Sequence, residues 1–212
     1  MDARFEGSPN TYTLTYLNGT IGNGAITGYG TWNYGQAHMN FTGHNLPLSI
    51  ASKMTGHQLA GTGTITGTWT GTVDNPSIQA KLSANDIGVD QTRYERAKLD
   101  LFVKDHVLHV EKGDLLDATG SHSVAGTIDL TGTQSIDMRL DTDNVRIENL
   151  ISPFTDIPMT GWLSMHNHIT GTLRAPKVDG YAHMWEGSLY GKLITDAPVS
   201  YTHLTLPTTE RV

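Results

Sequence analysis

Polar and apolar side chains alternate with a period of two through most of the chain. The alternation is most regular over residues 61–73. There Thr62, Thr64, Thr66, Thr68, Thr70 and Thr72 fill every even position, and Gly61, Gly63, Ile65, Gly67, Trp69, Gly71 and Val73 every odd one. Successive side chains of a strand point to opposite faces. The run therefore predicts a strand with a threonine ladder on one face and glycine alternating with large apolar residues on the other. At roughly 3.3 Å per residue such a run spans about 43 Å, long enough to predict a bend or an interruption. Residues 97–103 predict a second strand, with Ala97, Leu99, Leu101 and Val103 on one face. The polar triplet Lys104-Asp105-His106 and the return run 107–110 complete a hairpin. Residues 127–130 and 135–141 read the same way, the latter carrying Ile136, Met138 and Leu140. Asn18-Gly19 and Gly22-Asn23-Gly24 predict turns. Helical rhythm is broken everywhere by Gly, Pro or Thr. The one exception is 145–151, a turn or two of helix closed by Pro153. The fold class these patterns predict is all-β.

The pattern also repeats on a larger scale. Leu59-Ala60-Gly61 and Thr70-Gly71-Thr72-Val73-Asp74-Asn75-Pro76-Ser77-Ile78 recur 100 positions later as Met159-Thr160-Gly161 and Thr170-Gly171-Thr172-Leu173-Arg174-Ala175-Pro176-Lys177-Val178. Asn45-Leu46-Pro47-Leu48 is echoed 99 positions later by Asn144-Val145-Arg146-Ile147. The repeat units cover about 43–84 and 142–184. Units of this size predict an elongated array in which each stacks on its neighbour, rather than one closed globule.

Composition narrows the function classes. At 212 residues the chain fits one large all-β domain or two small ones. Its charged share of 17% is below the roughly 25% of an ordinary soluble domain, while 37% hydrophobic residues is too many for a disordered chain. A net charge of -7 with no basic stripe argues against nucleic acid as a partner. The absence of cysteine removes disulfides, thiolate zinc sites and cysteine nucleophiles together. No run approaches the ~20 apolar residues of a membrane helix, and residues 1–6 show no signal-peptide core.

The chemistry-bearing residues do not assemble into a catalytic pattern. His166-Asn167-His168 puts two imidazoles on one face of a strand, with His183 as a distant third, but this reads as surface histidine rather than a metal site. Asp141-Thr142-Asp143-Asn144 lacks the glycine and terminal glutamate of a calcium loop and reads as a turn before the short helix. Nothing in the spacing brings two of Asp114, Asp117 and Asp137 together as a glycosidase pair. There is no Gly-x-Ser-x-Gly elbow and no glycine-rich loop carrying a lysine. Trp32, Trp69, Trp162 and Trp185 are expected to pack in the sheet. No catalytic residue, metal or cofactor is expected, and the chain is not expected to be an enzyme. Residues 199–208 resemble the translation of a transposase-type sequencing adapter. The natural protein is therefore expected to continue beyond about residue 198, and 199–212 are set aside as an artefactual tail.

The order apolar-Gly, strand, Thr-Gly-Thr-apolar, two residues, Pro, one residue, apolar, then an alternating strand resembles the C-terminal region of TamB-type translocation-and-assembly-module proteins of the AsmA-like superfamily. Residues 170–178 carry most of the likeness, which covers roughly 20–195. The resemblance implies a long, curved, mostly antiparallel β-sheet forming an open trough (a β-taco) with an apolar lining. It implies a periplasmic protein, anchored to the bacterial inner membrane through a segment missing from this fragment. Such a protein supports outer-membrane biogenesis and protein secretion, with phospholipid acyl chains and an outer-membrane β-barrel assembly partner as its partners. Ile65, Trp69, Val73, Leu99, Leu101, Val103, Ile136, Met138 and Leu140 are the expected groove residues. The same residues would also fill the core of a sandwich or of a β-helical adhesin passenger with outward binding loops. A β-helical polysaccharide lyase or hydrolase is the weakest reading, because carboxylates and basic residues are not clustered.

Overall fold

In the computed structural model the period-two pattern becomes a single open sheet of thirteen antiparallel strands, each hydrogen-bonded to the next in chain order. The strands are β1 (Asp2–Ser8), β2 (Thr11–Ile21), β3 (Gly24–Asn33), β4 (Gln36–Pro47), β5 (Leu59–Gly71), β6 (Pro76–Val89) and β7 (Thr92–Lys104). They continue with β8 (Val107–Leu116), β9 (Ser121–Asp129), β10 (Ser135–Arg146), β11 (Met159–Thr172), β12 (Ala175–Leu189) and β13 (Lys192–Thr205). A 3-10 turn (Leu48–Ala51) leads from β4 towards β5, and a short helix, α1 (Ile147–Ile151), leads from β10 towards β11. The structure describes residues 1–52, 58–151 and 157–205. Pro153, expected to close the helix, lies outside the described residues, as do 206–212.

Several hairpins use two-residue turns with both residues at positive φ, among them Tyr34-Gly35, Asp105-His106 and Tyr190-Gly191. That geometry matches the right-handed twist of the strands it joins. Two sequence expectations are corrected. Asn18-Gly19 lies inside β2, opposite Thr27 and Ile26, and the chain turns instead at Gly22-Asn23. Gly19 serves there to make room, since a Cβ on it would sit 3.1 Å from Ile26 Cγ2. The acidic run 141–144 is not a turn either. It stays in β10, where the register shifts between Thr142 and Val145 and Asn144 adopts a φ of 53°. Asparagine tolerates that left-handed conformation better than most residues, which suits it to a bulge.

The sequence repeat is a repeat of six strands: β4 to β7 correspond to β10 to β13. Asn45 (φ 52°) is matched by Asn144 (φ 53°), and Gly71 (φ 93°) by Gly171 (φ 92°). The Thr-Gly-Thr motif acts as a strand terminator. Gly71 and Gly171 turn the chain out of β5 and β11. The Thr72 hydroxyl then accepts the Asn75 N–H at 3.0 Å, and Thr172 accepts that of Ala175 at 3.1 Å. Pro76 and Pro176 re-enter the sheet opposite those glycines, at strand starts where a missing N–H costs least. Residues 199–205, set aside in the sequence reading, complete β13, which pairs with β12 as far as Thr205 opposite Lys177.

Among the described residues two clusters of buried side chains form where the helical turns fold onto one face of the sheet. Val145, Ile147, Leu163 and Met184 form one such cluster, flanked by Leu150. Ala84, Ile87 and Ala97 form the other, flanked by Leu48. Between them lies a buried polar group. His122 contacts the Thr142 hydroxyl at 3.0 Å and Asp117 at 3.4 Å, and Tyr94 packs edge-on against the imidazole. Burial opposes the Asp117 charge. The N–H groups of Thr119 and Gly120, the Thr119 hydroxyl and His122 outweigh it and hold the carboxyl below its usual range. A depressed folded-state value means that Asp117 stabilises the fold above the ordinary carboxylate pKa of about 3.9, and that this stabilisation is lost as pH falls through the lower folded value. Asp117→Asn removes that charge while keeping an oxygen acceptor for the turn, so the expected result in urea unfolding is a lower stability at neutral pH and a shallower acid limb, variant and parent converging below the folded value.

Candidate functional site: the apolar face of the sheet

Side chains directly opposite each other in an antiparallel pair lie on the same face, so the register can be followed from strand to strand. Starting from β4, three rows run across the sheet. The first passes through Gly43, Ile65, Leu82, Leu99, Gly113, Val124 and Leu140 to Asn167. The middle row passes through Phe41, Gly67, Ala80, Leu101, Val110, Gly126, Met138, Ile169 and Val178. The third runs from Met39 through Trp69, Ile78, Val103, Leu108 and Ile128 to Ile136. The middle row contains no polar side chain from β4 to β12, a distance of about 38 Å at roughly 4.8 Å per strand.

Eight of the nine expected groove residues therefore share one face: Ile65, Leu99 and Leu140 in the first row, Leu101 and Met138 in the middle, Trp69, Val103 and Ile136 in the third. Val73 does not join them. Gly71 ends β5, and Val73 stands in the following turn at 64% exposure. Sequence reasoning missed Phe41, Val110, Ile169 and Val178, each of which closes a gap in the middle row. Their strands alternate too, but only the register shows which of their faces joins this one.

Among the described residues no second layer lies over the middle row; the main contacts of each strand are with its sheet neighbours, and the two helical turns pack at one end of the face, Leu48 against the Ala84 cluster and Leu150 against the Val145 cluster. Even so, Val110 and Ile136 are buried and the other large side chains of the rows are at least half-buried. They are shielded by one another across a bent face. Register shifts in nine of the twelve strand pairings supply the bending. The glycines of the rows are filled by neighbours: a Cβ on Gly67 would lie 2.6 Å from the Phe41 ring. Trp69 packs edge-on against Trp32 at 6.2 Å, and its indole N–H is buried without a hydrogen-bond partner. A cleft of about 490 Å³ opens on the opposite, polar face.

His166, His168 and His183 sit on the polar face, each with its own carboxylate. His166 meets Asp141 at 2.9 Å, His168 meets Asp137 at 2.7 Å, and His183 pairs with Asp196. Among the described residues no three metal-ligating side chains converge. Asp114 pairs with Lys112 at 2.8 Å and Asp117 is buried in its turn, so Asp114, Asp117 and Asp137 occupy three separate places. No family model, curated protein or solved structure matches the chain.

Proposed function

We propose that the apolar face binds the acyl chains of phospholipid. On this reading the chain is a segment of a TamB-like periplasmic protein, held at the inner membrane by a part outside this sequence. It supports outer-membrane biogenesis by passing phospholipid between membranes or by assisting the assembly of outer-membrane β-barrels and protein secretion. The observation that carries the reading is the middle row, an uninterrupted apolar path across nine strands with no layer over it. A half-buried apolar surface of that extent with no layer over it is costly unless something apolar covers it. At about 0.8 kcal/mol per buried methylene, an acyl chain lying along the row is held without any specific polar contact. Because no polar side chain interrupts the path, sliding meets no desolvation step.

The test is photo-crosslinking in cells, with a benzophenone amino acid at Leu101 or Met138 and, as the opposite-face control, at Thr64. Lipid adducts are expected at the first two positions and not at the third. Capture of no lipid at either row position would overturn the proposal.

A further inference from the structure

We infer that the polar face of the first repeat unit carries a second binding site, for an uncharged oligosaccharide. The cleft of about 490 Å³ on that face is within the size range of small-molecule sites and is built by β3 to β8. Two registered rows form its floor. Tyr29, Asn40, Thr68 and Gln79 stand opposite one another in turn across four strands. Beside them run Thr42, Thr66, Lys81 and Asp100.

The chemistry of these rows fits a sugar chain. Amide and hydroxyl groups both donate and accept, which is what a ring bearing several hydroxyls requires. Among the described residues, the side chains of Tyr29, Asn40, Thr66, Thr68 and Gln79 hydrogen-bond to no other protein group, so that capacity faces the cleft. An aromatic ring stands at one end of the polar stretch, where Tyr29 is 60% exposed. An aromatic face packs against the C–H side of a pyranose while its hydroxyls reach the polar row. From Tyr29 on β3 to Asp100 on β7 the cleft spans about 19 Å, which calls for a chain of sugars rather than one.

Charge selects a neutral ligand. Among the described residues Lys81 is the one cationic side chain lining the cleft, and it is paired with Asp100 at 3.0 Å; Glu111 adds a negative charge. A phosphate or a uronic acid finds no unpaired cation there. The second repeat unit lacks the site. At the positions matching Asn40, Thr66, Thr68 and Gln79 it carries Arg139, His166, His168 and Asp179, and two of these are tied up with aspartates.

Isothermal titration of the whole chain with cellotetraose, maltotetraose and tetra-N-acetylchitotetraose tests the inference. At least one of these neutral probes is expected to bind. Thr68→Val, which keeps the β-branched shape the strand needs, and Tyr29→Ala, at an exposed position, are each expected to weaken binding about tenfold or more. Thr62→Val, on the same ladder but outside the cleft, is expected to leave it unchanged, and far-UV circular dichroism checks that every variant keeps its sheet. Three results would each overturn the inference: no binding of any probe at millimolar concentration, equal effects of Thr62→Val and Thr68→Val, or a preference for polygalacturonate over the neutral chains.

Discussion

Gly126→Ala is expected to destabilise the sheet by about 3 kcal/mol or more, read as a fall in the urea midpoint followed by tryptophan fluorescence. Gly126 lies in the middle of β9 at a φ of 145°. A Cβ there would sit 2.1 Å from the backbone oxygen of Asp137 and 2.9 Å from Met138 Sδ. The sulfur belongs to a flexible side chain and can move away. The carbonyl belongs to β10, the hydrogen-bonded neighbour, so relief requires β9 and β10 to separate and give up ladder bonds. Gly132→Ala isolates the conformational part of the cost. Its φ is 51° and nothing lies within 4 Å, so it is expected to cost about 1 kcal/mol. Gly30 repeats the arrangement in β3, at a φ of 158° and 2.2 Å from the His38 oxygen, with Met39 in the place of Met138. The glycine-methionine pairing is therefore a recurring device. It lets neighbouring strands approach while the methionine covers the gap.

The strands were legible because alternation is a local property, and the run 61–73, of which 61–71 fall in β5, needed only the sequence of that segment. Faces across the sheet were not legible to the same degree, because they depend on register. At Asp100/Leu101 the partner β8 gains a residue, so Leu99 and Leu101 look onto Gly113 and Val110 rather than onto residues two apart. A similar shift at Thr142/Val145 changes the parity of β10 before the α1 corner. Val73 was placed with the groove because the odd positions continue to it in sequence, whereas the chain has already turned at Gly71. Asp141 to Asn144 looked like a turn because acidic residues and asparagine favour turns, but here asparagine occupies the left-handed position of a bulge. The threonine ladder was readable as a wetted face. That one stretch of it is hollow and ends at an aromatic ring follows from Tyr29 and Asn40 coming into line with Thr68, which no local pattern states.

Leu101→Asp together with Met138→Asp is expected to lower the phospholipid that co-purifies with the chain by about tenfold or more, equivalent to about 1.4 kcal/mol of binding free energy. The two positions lie in the same row, separated by Val110 on β8 and Gly126 on β9, or about 14 Å. Each carboxylate interrupts the path, and an acyl chain crossing it must strip water from a charge that has no partner on this face. The empty sheet should tolerate the change better than a closed core would. With no layer overhead, the new carboxylates can reach water, so thermal stability is expected to fall much less than lipid content. Thr64→Asp places a charge on the polar face of β5 and is expected to leave lipid content unchanged. Equal lipid in the double variant and in Thr64→Asp would mean that the apolar rows are not the surface lipid occupies. A loss of lipid confined to the double variant would tie binding to the face rather than to net charge, since the single control makes the chain more acidic without entering the path.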